Sequence, residues 1–331
     1  MGGTKQQWNG RNRKNKLFRM KGWMIAVLAA SALLILFGFI MLITSAAGRR
    51  ASEKADRELQ NLYHAQAAYP TLTAKPAETE KPLPEAAETM EAPPQKEEMT
   101  AAADAPTPGP VSRLRGQNYP ENLSLSISSR FLALREQNQD IVGWLTIGSM
   151  VDEAVVQRDN EYYMNHNASM QADVSGAIFL DARVSLNTRP YTLILYGHNM
   201  RTGARFGSLR NYENTDFRRN YPFLSFNSIY EEGEYVIFSV GTVSTEEEDP
   251  NFLDFYGLAS LRTDERQPAL DTLREVSLFT DPVDVRLDDQ VLLLVTCADR
   301  DEERRIVAAR RIRDGEDKKE LKALAAESRK K

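Results

Sequence analysis

From Gly22 to Gly48 the chain runs GWMIAVLAASALLILFGFIMLITSAAG without one charged side chain. About 20 apolar residues suffice to cross a bilayer as a helix, so this run decides where the rest of the chain folds. Residues 1–21 carry seven Lys or Arg and no Asp or Glu, and a basic flank stays on the cytoplasmic side. The expectation is a basic cytoplasmic tail over 1–21, a single-pass transmembrane anchor over 22–48, and everything after Arg50 on the extracellular face. A cleaved signal peptide is the rival reading, with Ser45-Ala46-Ala47 as its cleavage site. The run exceeds the ~7–15 apolar residues of a signal h-region, which favours a retained anchor.

Beyond the anchor the composition changes twice. Residues 49–69 have helical composition with a Leu59, Leu62 seam and are expected as a juxtamembrane helix. Residues 70–118 are expected as a Pro/Glu-rich disordered linker: nine of the fifteen prolines fall between Pro70 and Pro110, with almost no large apolar side chains. Such a stretch buries too little surface to offset its ordering entropy, and it is expected to space the next domain from the membrane. A chain starting near Gln117 is then expected to fold and act as well as a longer soluble one. Residues 119–313 are long enough for one domain with its own core, and 314–331 read as a charged, solvated tail.

Within 119–313 short apolar runs bounded by turn formers read as strands: Val142–Ile147, Ala154–Gln157, Gly176–Leu180, Thr192–Tyr196, Glu234–Val243, Gln290–Thr296 and Arg305–Ile312. Helices are expected from Ser128, near Phe206–Tyr212, Asn220–Phe223 and Leu258–Leu273. Many strands with few helices imply a mostly antiparallel barrel or sandwich.

One cysteine, Cys297, ends the run VLLLVTC. An exported chain with a single thiol cannot form an internal disulfide. The thiol is therefore inert and buried, bridged to another chain, or a nucleophile. A nucleophilic thiol needs a proton acceptor nearby, usually histidine. Of the three histidines, His64 falls in the juxtamembrane segment, His166 in the loop-like YYMNHN, and His198 at the end of the apolar run YTLILYGH. Two apolar strands ending in His198 and Cys297 can present both at one rim of a sheet. The next run opens with Arg304-Arg305, and strand alternation sends these two side chains to opposite faces.

The stretches NQDIVGWLTI (138–147), VVQRDNEYYMNHN (155–167), GAIFLDAR (176–183), LILYGHNM (193–200), FGSLRNY (206–212), LLLVTCAD (292–299) and RRIVAARRI (304–312) together resemble the class B sortases. These are membrane-anchored cysteine transpeptidases of Gram-positive bacteria. The resemblance implies a sortase-type β-barrel with an N-terminal helical addition and short helices in loops. It also implies a catalytic set of His198, Cys297 and Arg305. Arg305 is preferred to Arg304 because the family's arginine stands directly before Ile-Val. The implied reaction is that of a cysteine peptidase of the hydrolase class. A C-terminal sorting signal is cleaved through a thioacyl-enzyme, and the protein is passed to an amine of the cell wall or of a pilin. The implied partners are surface proteins or pilins bearing that signal, and a peptidoglycan precursor or pilin lysine as acceptor. Where the family often has Ser two residues before the cysteine, this chain has Val295.

Three other readings compete. Papain-like peptidases place the cysteine before the histidine, the reverse of the order here. The L,D-transpeptidases place Arg two residues after the cysteine, where this chain has Asp299. A non-catalytic, membrane-anchored binding module with a structural Cys297 is the non-enzyme alternative. The acidic cluster Glu246–Asp249 reads as a solvated loop, because one loop supplies too few oxygens to close a Ca²⁺ site. No cofactor, metal or nucleic-acid partner is expected.

Overall fold

The computed structural model describes residues 22–67, 117–297 and 302–331. The expected basic tail, nearly all of the expected linker and residues 298–301 lie outside the described residues.

Helix α1 spans Gly22–Ala67, and the chain divides into two compact units after Ala51. The first unit is the apolar part of α1, long and apolar enough to cross a membrane, with Leu33, Leu34, Phe37 and Ile43 among its exposed side chains.

The second unit, Ser52–Lys331, begins with the remainder of α1. Ala55, Leu59 and Tyr63 recur at the four-residue spacing of one helix face and are buried against the domain. Helix α2 (Ser129–Gln137) buries Phe131 and Leu134 in the same cluster. The strands are β1 (Ile141–Ile147), β2 (Val151–Val156), β3 (Ile178–Leu180), β4 (Thr192–Tyr196), β5 (Phe223–Ser228), β6 (Glu234–Ser244), β7 (Phe279–Thr280), β8 (Val291–Cys297), β9 (Glu303–Arg311) and β10 (Arg329–Lys330). Eight of them close a barrel in the order β1-β2-β3-β4-β8-β9-β6-β5. The β2–β3 and β4–β8 pairs are parallel and the other pairs for which a register is defined are antiparallel. The barrel and its single apolar N-terminal helix agree with the fold class read from the sequence.

Closure explains why the strand runs look continuously apolar: both faces of several strands are buried. Leu193, Leu195, Leu292, Leu294, Val307 and Ala309 fill the barrel interior. Their neighbours Ile194, Leu293, Val295, Ile306 and Ala308 face outward, under α4 (Phe255–Ala259), α5 (Thr263–Glu275) and α6 (Lys318–Ala326).

Three local expectations change. The helix expected at Asn220–Phe223 lies earlier, as α3 (Thr215–Asn220), where the Asn214 side chain accepts the Phe217 N–H at 3.0 Å. Pro222 disfavours helix at Tyr221, and β5 follows with Leu224, Phe226 and Ser228 buried in strict alternation. The single helix expected at Leu258–Leu273 is two, α4 and α5, broken at Ser260–Arg262. The C-terminal segment is docked: α6 buries Leu321 and Ala325, and β10 pairs with β7. Its charged composition conceals that one-sided apolar spacing.

Candidate active site

β4 and β8 run parallel in register, Thr192 opposite Val291 through Tyr196 opposite Val295. The pairing continues one step further, where the Gly197 N–H donates to the Val295 carbonyl at 3.2 Å. His198 and Cys297 therefore each stand two residues beyond that last pair, on adjacent strands at the same end of the barrel. β9 returns antiparallel along β8, with Arg305 opposite Thr296 and Arg304 opposite Cys297.

At this end a cavity of about 320 Å³ opens. His198, Gly197 and Tyr196 from the end of β4 form one wall. Val295, Thr296 and Arg304 from β8 and β9 form another, and Phe179, Phe255, Met164, Asn160 and Thr245 complete it. The lining is mostly apolar with a few convergent polar groups, as small-ligand and peptide sites usually are. Val295 makes part of that apolar surface.

The His198 ring is fixed at one nitrogen. Its Nε2 lies 2.6 Å from the Met164 carbonyl oxygen, which only accepts, so Nε2 carries the proton and donates. A neutral ring then has Nδ1 left to exchange a proton. The His198 carbonyl accepts from the Met200 and Phe206 N–H groups at 3.0 and 3.1 Å, which closes the following loop tightly under the histidine. Gly197 is required here, because a Cβ would sit 2.9 Å from the Phe206 ring.

Strand alternation separates the two arginines. Arg304 lies on the cavity side with His198. Arg305 turns to the other face, where its Nε donates to Glu213 Oε1 at 2.8 Å. Glu213 ends the 3-10 segment Gly207–Glu213.

Behind the cavity wall, Tyr196 donates its hydroxyl to Asp181 Oδ2 at 2.9 Å. Arg183 grips the same carboxylate with Nε on Oδ1 at 2.9 Å and a terminal nitrogen on Oδ2 at 2.6 Å. Burial pushes the Asp181 carboxyl up, but the Arg183 donors, the backbone N–H of Arg183 and the Tyr196 hydroxyl outweigh it and hold it below the usual carboxylate range. Burial and then the Asp181 charge push the Tyr196 hydroxyl up, so it stays a donor. These residues lie within GAIFLDAR and LILYGHNM, and neither run by itself reveals that they meet. The detectable signal was parity, since Tyr196 shares a strand face with His198.

The other histidines sit elsewhere. His64 Nε2 lies 2.8 Å from Asp152 Oδ2 on the outer surface. His166 stacks on Tyr162 with ring centroids 4.0 Å apart. Among the described residues no cluster of His, Cys, Asp and Glu could hold a metal ion.

No family model matches the chain. Among curated proteins it is 32 % identical to sortase B of Listeria monocytogenes over 180 residues, covering 53 % of this chain and 70 % of that protein. It is 28 % identical to sortase B of Staphylococcus aureus over 176 residues, covering 52 % and 69 % respectively. Among solved structures, a Bacillus anthracis protein described as similar to sortase B superposes with a TM-score of 0.54 at 25 % identity, over 80 % of this chain and 96 % of that one. A Staphylococcus aureus sortase B–substrate complex superposes with a TM-score of 0.50 at 26 % identity, over 57 % and 87 %. The sequence match to the Listeria protein thus extends over most of that relative, and the barrel carrying His198 and Cys297 is the one found in solved sortases: the chain belongs to the class B sortases, a family of cysteine transpeptidases.

Proposed function

We propose that this chain anchors in the membrane by α1, with residues 1–21 in the cytoplasm and the barrel outside, and joins sorting-signal proteins to an amine. The Cys297 thiolate attacks the carbonyl carbon of a Thr-x peptide bond. The C–N bond breaks, His198 supplies the proton to the leaving amine, and a thioacyl-enzyme remains. An amine from a peptidoglycan precursor or a pilin lysine then attacks the thioester. His198 takes its proton, a new amide forms as the C–S bond breaks, and the Cys297 thiolate is released. The Arg305 guanidinium, charged at any relevant pH, donates to the substrate carbonyls and to the developing oxyanion.

The observation that carries this reading is the in-register parallel pairing of β4 with β8, which brings the backbone positions of His198 and Cys297 to the same end of adjacent strands, where His198 lines an apolar cavity. A second reading of the arginine rests on its own observation. Arg304, and not Arg305, lines that cavity, while Arg305 is engaged by Glu213.

The test is mass-spectrometric trapping of an acyl adduct on Cys297 together with turnover of substitution variants. Cys297→Ala abolishes the adduct, and His198→Ala nearly abolishes turnover. Loss of the oxyanion donor costs about 10²–10³ in rate. Comparing folded Arg304→Ala and Arg305→Ala identifies which arginine supplies that donor. Transfer by Cys297→Ala would overturn the reading altogether.

A further inference from the structure

Arg205 stands seven residues after His198, is 3 % exposed, and adopts a left-handed backbone with φ +53°. A buried guanidinium in that conformation is costly unless its donors are all used. Its Nε donates to the Gly176 carbonyl at 2.9 Å. One terminal nitrogen donates to Glu153 Oε2 on β2 at 2.5 Å and to Asp56 Oδ2 on α1 at 3.0 Å. The other lies 3.8 Å from Asp173 Oδ2, and the Ser52 hydroxyl on α1 donates to that same oxygen. Burial pushes the Glu153 carboxyl up, and the Arg205 charge opposes that shift.

Two of these ties bear on the histidine. Arg205 bridges back to Asn199 and so closes the loop that begins at His198. Gly176, the acceptor of its Nε, lies against the carbonyls of Tyr163 and Met164; a Cβ there would stand 2.4 and 2.8 Å from their oxygens. Met164 O is the acceptor of His198 Nε2. Arg205 is therefore bridged by its backbone to the residue after His198, while its side chain holds Gly176, packed against the carbonyl that His198 bonds, and reaches Asp56 on α1.

We infer that Arg205 is a positioning residue for His198, and that the Ser52–Ala67 end of α1 takes part through Asp56. The kinetic part of this inference rests on the proposed role of His198; its structural part does not.

The experiment uses the full chain in detergent micelles, with a peptide holding a Thr-x bond between fluorophore and quencher and with NMR of ¹³C-labelled histidine. Three variants are compared with the parent: Arg205→Lys, the double variant Arg205→Met with Glu153→Gln, and Asp56→Asn. The double variant replaces a buried ion pair by neutral groups, which usually preserves folding. Arg205→Lys and the double variant are expected to lower kcat and kcat/KM together by about tenfold or more, within the ~10²-fold that a 1 Å misplacement costs. KM stays unchanged, Tm is nearly retained in the double variant, and the His198 imidazole resonances shift. Asp56→Asn shows the same changes to a smaller degree. Parental kcat and unmoved His198 resonances in a folded double variant overturn the inference, and an unmoved Asp56→Asn removes α1 from it. Failure of the parent chain to form a Cys297 adduct counts against the transpeptidase reading alone, and the resonances then decide this inference.

Discussion

Asp181 is completely buried, yet its donors hold its carboxyl below the usual carboxylate range. A depressed folded pKa contributes stability above the unfolded value of about 3.9, and that contribution is lost as pH falls through the folded value. Asp181→Asn is therefore expected to lower Tm at neutral pH, with the gap to the parent closing below about pH 4. Thermal unfolding of both proteins from neutral to acidic pH checks this; a constant gap contradicts it. At this same scale the site was only partly legible. The positions of His198 and Cys297 at the ends of two strands could be read because each ends an apolar run. Parity said that only one of Arg304 and Arg305 faces any one site, but not which, since that depends on the register of β9 against β8. In the structure Cys297 is opposite Arg304 and Thr296 opposite Arg305.

The end of α1 changes meaning once packed. Tyr63 stacks flat on Trp144 with ring centroids 4.3 Å apart, and its hydroxyl accepts from Asn227 Nδ2 at 2.7 Å. Leu59 is 2 % exposed beside it. A chain starting at Gln117 would uncover Trp144 and Phe131 and remove Asp56 from Arg205, so the expectation that such a truncation is harmless is not supported by this packing. Tyr63→Ala is expected to lower unfolding free energy by about 3 kcal/mol, the usual cost of truncating a buried aromatic side chain. Urea unfolding followed by tryptophan fluorescence measures it, and a loss below about 1 kcal/mol, the range of surface changes, would mean that the helix end is not docked in solution. The Leu59 and Leu62 seam was visible in the sequence; what it packed against was not, because the partner strand β1 lies past the Pro-rich stretch.

For the molecule as a whole, the compact unit reaches from Ser52 to Lys331. The expected linker lies almost wholly outside the described residues. The proposed topology predicts that protease added to intact protoplasts removes the barrel and leaves a membrane-bound fragment ending after Arg50. Protection of the barrel contradicts the orientation, and a mature N-terminus near Gly48 contradicts the retained anchor.

The sequence alone determined what depends on local composition and period. An uncharged apolar run is costly in water wherever it occurs, and alternating or continuous apolar runs mark strands before any partner is known. Strands β4 and β8 could be placed on those grounds, with the histidine and cysteine at their ends. Only the tertiary structure decided what depends on pairing across long separations. Barrel closure brought Tyr196 and Val295 into the lining of one cavity, β9 register sent Arg304 to the cavity and Arg305 to Glu213, and docking brought Asp56 to Arg205. A one-residue change in register exchanges the faces of a strand, and the energy that selects one register comes from contacts between segments far apart in the chain.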